Sequence, residues 1–162
     1  MSYTFTIGNA VPKFEKDDDY LYAAWEVEPT SNESAPSFPN DDMTGHSNAR
    51  SPSYSAWEGF CKETGIFDIF YDQRGNLLAG HQGCAMITEE DLSIVRSARA
   101  LWESQSTKLP GFQGFPIYDK ASKAYITPDE GKYDHQLARL LWLEWWMDWA
   151  LKNCETPAIQ NT

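Results

Sequence analysis

The chain has 162 residues and a formal net charge of −11, with 24 acidic against 13 basic side chains. That length fits one domain with its own core, and the 41% hydrophobic and 14% aromatic content is that of a folded protein. With no basic stripe to displace counterions, the charge speaks against direct binding to nucleic acid or to an anionic membrane.

The imbalance is uneven. Residues 1–60 hold ten acids and three bases, and residues 61–162 hold fourteen and ten. The first ten residues, MSYTFTIGNA, lack the basic-then-apolar pattern of a secretory leader. The three cysteines, Cys61, Cys84 and Cys154, are odd in number and widely spaced. Both features lead to the expectation of a cytoplasmic protein with free thiols.

Tyr3, Phe5 and Ile7 alternate with Thr4 and Thr6, which predicts a strand ending at Gly8-Asn9. Residues 20–27 predict a second strand with Leu21, Ala23, Trp25 and Val27 on one face, paired antiparallel with the first across a connection holding Pro12 and the acidic run at 17–19. Residues 29–52, PTSNESAPSFPNDDMTGHSNARSP, carry neither helical nor strand periodicity and read as one long loop. Residues 52–55 open a helix that reaches Thr64 and stops at Gly65, with Trp57, Phe60 and Cys61 facing inward. The stretch IFDIFYDQRGNLLAG reads as a hairpin, or a short helical turn leading into one, turning at Gly75, and GHQGC reads as a loop.

The run Thr88-Glu89-Glu90-Asp91 matches a capping box and begins a helix to about Ser104, with Ile94, Val95, Ala98, Leu101 and Trp102 as its buried stripe. After the loop LPGFQGFP, the segment PIYD-KASK-AYIT predicts a second hairpin. The last and longest helix is expected over 134–153, ended by Pro157. Its residues 137–151 are apolar almost all round, which marks the helix as the most buried, yet Arg139, Glu144 and Asp148 make it unsuited to span a bilayer. The expected fold is therefore a single α+β domain over 1–162, built of antiparallel β-hairpins and three helices, with the irregular loop at 29–52 inside it.

The candidate site follows from that loop. Helix starts present unpaired backbone donors and partial positive charge to anions. The loop places His46, Asn48, Arg50, Ser51 and Ser53 beside such a start, and on the last helix His135, Arg139 and Trp142 fall at spacings of four and three on one strip. An arginine beside an indole suits an anionic or planar ligand, although each arginine reads equally as the partner of an acid, Arg50 of Asp41 or Asp42 and Arg139 of a surface carboxylate. Glu144 and Asp148, four apart, are explained by a Lys152 salt bridge as well as by acid–base work. His81 and Cys84 are too few to predict a zinc site, and the chain has no Walker-type lysine, nucleophile elbow or H-E-x-x-H. The expectation is a non-enzymatic binding protein, of inhibitor or sequestering type, that recognises a small anionic ligand or a protein partner without a metal or cofactor. The alternatives are a small-molecule hydrolase or transferase using His46, Arg50 and Arg139, and a structural component of a larger assembly that uses its tryptophan-rich helix as the contact.

Overall fold

A computed structural model describes residues 1–17, 20–71, 77–78 and 83–162, and side chains outside 14–24. The Gly75 turn, His81 and the acids at 18 and 19 lie outside the described residues. The architecture is a single α+β fold. Strand β1 (Phe5–Asp17) is its axis. Its first half pairs antiparallel with β9 (Pro157–Asn161), Ile7 opposite Ile159, and at Phe5 and Thr6 with the two-residue β3 (Ala49–Arg50). Its second half pairs antiparallel with β2 (Tyr20–Val27), Ala10 opposite Val27. The far edge is β4 (Gly83–Met86), antiparallel to β9, so the order runs β2-β1-β9-β4.

The first strand runs on through Gly8, Asn9 and Pro12 instead of stopping there, because β9 on one side and β2 on the other carry the ladder past them. Trp25 and Val27 share a parity, but Val27 is buried and Trp25 is half exposed, since β2 outruns the core it leaves.

Helix α1 (Tyr54–Thr64) starts where expected, with the Ser53 side chain accepting from the Ala56 amide, and ends at Gly65 in the left-handed region at φ 79°. The next residues form a short helix, α2 (Phe67–Tyr71), which buries Ile69 and Phe70. Helix α3 (Glu89–Gln105) carries the Thr88–Asp91 capping box in both directions. Its buried stripe is Leu92 and Val95, continued by Ala98 and Trp102, while Ile94 and Leu101 are exposed. The stripe is therefore rotated from the one expected, because Leu92, not Ile94, meets the sheet-side core at this crossing. Helix α4 (His135–Asn153) is N-capped by Asp134, whose side chain accepts from the Leu137 amide. Leu140, Leu143, Trp146, Met147 and Ala150 face Phe5, Ile7 and Ile159 in one core. Pro157 does not merely end α4; it begins β9, a strand with no local apolar pattern to announce it.

Between α3 and α4 the chain makes an excursion. Strands β5 (Leu109–Pro110) and β8 (Tyr133–Asp134) pair in parallel and form its neck. Beyond them β6 (Ile117–Asp119) and β7 (Ala124–Ile126) form the expected hairpin. No helix among the described residues is long and apolar enough to cross a membrane.

Candidate functional site

The 29–52 loop is strapped to the flank of α4 by its own polar side chains. Asp41 is the hub. Its Oδ1 accepts from the Met43 and Thr44 amides at 2.7 and 2.9 Å, a local turn of the kind short acids favour. Its Oδ2 accepts from Arg139 Nη2 at 2.8 Å and Nε at 3.3 Å. Arg139 also donates to Gln136 Oε1, and its guanidinium lies 5.7 Å from the centroid of Phe112. Arg50 donates to Asn40 Oδ1, the Asp41 carbonyl and Ser47 Oγ. The Arg50 guanidinium stands 6.0 Å from the Trp142 ring and packs so closely on Gly45 that a Cβ there would displace it. Trp142 is buried and donates its indole N–H to the Ser47 carbonyl. Burial lowers the Arg50 pKa while Asp41 opposes the shift, and the guanidinium remains charged at neutral pH.

The structure thus brings Arg50, Arg139 and Trp142 together around Asp41 and Ser47. Asn48 does different work. It is fully buried, and its amide donates to the Ile7 and Glu28 carbonyls while its oxygen accepts from the Thr30 amide at 2.6 Å. That brackets the loop onto β1. Ser53 is occupied as the α1 cap, and Ser51, exposed, binds the Asp42 carbonyl through its backbone amide. His46 is exposed at the loop surface. His135 lies at the start of α4, its ring stacked 6.3 Å from Phe112. Burial and then the nearby Arg139 lower its pKa, more than Asp134, Glu63 and Asp41 raise it.

The Glu144–Asp148 pair is absorbed in an ion network between α3 and α4. Arg99 reaches Glu144 at 2.7 Å, Arg96 reaches Asp148 at 2.5 Å, and Lys152 reaches Asp148 at 2.6 Å. Among the described residues no three of His, Cys, Asp and Glu converge as metal ligands would. Burial raises the pKa of Cys84 and of Cys154, as it does for Cys61, which holds those thiols protonated at neutral pH.

Several clefts open at the surface. One of about 380 Å³ lies at the neck of the excursion, between Glu63, Trp102, Lys108, Tyr133 and His135. Another, about 340 Å³, lies beside the loop's bracket, between Gly8, Glu28, Thr30, Asn48 and Trp149. A smaller one, about 270 Å³, has an apolar floor of Pro36, Phe38, Leu141 and Trp145 and a rim of Arg96 and Asp148.

The element that sequence reading did not single out is the β6–β7 arm. Phe115 is 91% exposed and Tyr125 74%, and Ile117, Tyr118 and Ile126 are each about half exposed. Ile117 pairs with Ile126 and Tyr118 with Tyr125, so one face of the ribbon is aliphatic and the other aromatic. The available signal was the adjacency of two apolar residues on each strand: such a ribbon has no polar face to turn to water. The tip is well made, with Asp119 accepting from the Ala121 and Ser122 amides and the Ser122 hydroxyl, contacts that hold its carboxyl below the usual range. The segment 107–133 carries four of the thirteen basic residues and three of the 24 acids, a local net of +1 against −12 for the rest.

Comparison with protein-family models, with curated proteins and with solved structures finds no match.

Proposed function

We propose that this chain is an acidic, non-enzymatic binding protein of the inhibitor or sequestering type, and that its partner is a protein held by the β6–β7 arm. The observation that carries the reading is the arm's exposure of Ile117, Tyr118, Tyr125 and Ile126 on both faces of a two-stranded ribbon, with Phe115 exposed just before it. Such a ribbon is marginal alone in water, and apolar side chains clustered on both of its exposed faces mark a contact surface. Aromatic side chains dominate the energetics of such contacts. The arm's lysines suit a partner whose apolar surface is rimmed by acids, and the charge of the remainder favours no direct nucleic-acid partner. The guanidiniums of Arg50 and Arg139, by contrast, already spend their donors on Asn40, Asp41, Ser47 and Gln136, which leaves less for an anion. The hydrolase or transferase alternative would need a base beside them, and among the described residues no hydrogen bond joins His46 to either.

A second reading has its own observation: the cleft at the arm's neck is lined by Trp102 and Tyr133 together with Lys108, His135, Glu63 and Asp134, a mixed aromatic and polar lining suited to a small planar polar ligand.

The test is affinity capture from the native host, comparing wild type with Phe115→Ser/Tyr125→Ser. A partner retained by the wild type and lost by the variant supports the arm. Equal retention by both removes the arm as the contact, and a small molecule bound equally by both moves the function to the neck cleft.

A further inference from the structure

Resting on the second reading above, that of the cleft at the arm's neck, we infer that this cleft takes an uncharged purine nucleoside whose base carries a carbonyl beside a ring N–H, and that the bound base fastens the arm to the body. What the lining side chains already do decides what is left for a ligand. Asp134 is fully engaged: Oδ1 accepts from the Leu137 amide, and Oδ2 accepts from Trp102 Nε1 at 2.8 Å and from Ser106 Oγ at 2.6 Å. Gln136 is engaged too, donating to Glu63 Oε2 and accepting from Arg139. Three groups keep capacity. Among the described residues neither the Lys108 ammonium nor the His135 ring has a hydrogen-bond partner, and Glu63 Oε1 accepts no hydrogen bond. Lys108 can only donate, a carboxylate oxygen can only accept, and neutral histidine does one of each. That set matches a ligand with a carbonyl and an N–H side by side, which is the edge of guanine or hypoxanthine and not of adenine. Trp102 has its N–H tied to Asp134, so it and Tyr133, both half-buried, offer ring surface for stacking.

Size and charge narrow the class. A cavity of about 150 Å³ holds one benzene ring, and the cleft here is about 380 Å³, room for a fused double ring and a pentose. The lining sets two carboxylates, Glu63 and Asp134, against one cation, Lys108, and burial keeps His135 neutral at neutral pH. The chain around it has a net charge of −11. A phosphate group gains nothing there, so the nucleoside is favoured over its nucleotide. The cleft also sits where a ligand can join two parts of the molecule. Lys108 leads into β5 and Tyr133 lies on β8, the strands of the neck, whereas Trp102 lies near the end of α3 and His135 starts α4. The neck itself is short. It is closed by the Leu109 amide on the Lys132 carbonyl at 3.1 Å and the Gly111 amide on the Asp134 carbonyl at 3.2 Å. Beyond it β6 and β7 pair with each other alone among the described strands. A base held by both sides adds contacts across the neck and lowers the frequency with which those two amides open.

The experiment is calorimetric titration of the wild-type chain with inosine, guanosine, adenosine and guanosine monophosphate, joined to NMR of the same samples. A ligand of about twenty non-hydrogen atoms at ordinary efficiency binds at about 10–100 µM, and that is the dissociation constant expected for inosine and guanosine. Adenosine, which would leave the Glu63 carboxylate facing an acceptor, should bind at least about tenfold more weakly. Inosine should shift the His135 ring and Trp102 indole N–H signals and slow hydrogen exchange at the Leu109 and Gly111 amides. Lys108→Ala/His135→Ala, at two exposed positions, should weaken binding at least about tenfold with an unchanged melting curve. The wild-type NMR shifts decide the site even where that variant misfolds. No binding by inosine or guanosine up to about 1 mM overturns the inference, as does equal affinity for adenosine, a monophosphate tighter than its nucleoside, or shifts confined to other residues. Binding in the cleft with unaltered exchange at Leu109 and Gly111 overturns the fastening of the arm. A different planar compound that co-purifies with the protein and shifts His135 and Trp102 overturns the nucleoside and leaves the cleft reading standing.

Discussion

Trp146 is the sharpest test of how this fold is held. Its side chain is fully buried in α4, with Trp145 and Trp149 rings set edge-on at 4.8 and 5.3 Å. Removing 150–250 Å² of buried aromatic surface at about 25 cal/mol per Å² costs roughly 4–6 kcal/mol as an upper bound. One term runs the other way. The Trp146 indole N–H has no acceptor among the described residues, so its removal relieves a desolvation cost of about 1–3 kcal/mol. The net expectation for Trp146→Ala is a loss of about 3–4 kcal/mol, within the range for emptying a large aromatic site. Trp146→Phe keeps much of the packing and deletes the unpaired donor, so about 1 kcal/mol is expected. Urea unfolding followed by circular dichroism measures both. At two to four degrees per kcal/mol for a chain of this size, the alanine variant should melt about 10 °C lower. A loss below about 1 kcal/mol for Trp146→Ala would be a surface-scale effect and would refute the burial argument. A phenylalanine variant as unstable as the alanine one would refute the unpaired-donor term.

Three further outcomes are expected. Asn48→Ala strands the Thr30 amide and the Ile7 and Glu28 carbonyls, and should cost about 2–4 kcal/mol in the same urea assay; a near-neutral result would show that the loop is not anchored there. Asp41→Ala leaves the Arg139 guanidinium, 16% exposed, with only the Asp42 carboxylate at 3.9 Å and strips the Met43 and Thr44 amides of their acceptor, and should cost about 2–3 kcal/mol, whereas a loss under about 0.5 kcal/mol would mean that Asp42 and water replace the Asp41 contacts. His135 should titrate by NMR below the ordinary histidine value of about 6.5, chiefly because it is buried and then because of Arg139. Since its folded pKa is the lower one, the stability it contributes is present above the unfolded pKa and falls as the pH drops through the folded one, and His135→Gln should flatten that slope. A midpoint at or above 6.5 would contradict this.

What the sequence made legible follows from range. Ser53, Gly65 and the Thr88–Asp91 box act within three or four residues, so both helix starts and one helix stop could be read directly. The apolar surround of α4 marked it as the centre. Strand β9 could not be seen, because its reason for being a strand is β1, some 150 residues earlier, and β4 in turn depends on β9. The α3 stripe was misplaced by one row because Ile94 and Leu92 are equally apolar and only the crossing angle chooses between them. At the candidate site, helical spacing grouped Arg139 with Trp142, and loop composition drew attention to Arg50. Asn48 looked like a ligand donor but is a buried bracket, a role set by carbonyls at positions 7 and 28 that no local pattern links. The arm's sequence announced a hairpin but not its lack of cover, which is a property of everything else in the fold.

The placement of β9 between β1 and β4 has a kinetic meaning. During synthesis β1 and β2 emerge early and can zip as neighbours, but the inner edge of β1 has no mate until some 150 further residues have been made. Closing so long a loop is entropically slow, and its cost is met only when α4 has docked and placed the following strand within reach. In that interval an apolar edge bearing Phe5 and Ile7 is open to any extended chain that passes, including another nascent copy. The β1 edge that β9 covers in the folded sheet is therefore open to mispairing while folding, and aggregation during expression should depend on how quickly α4 forms.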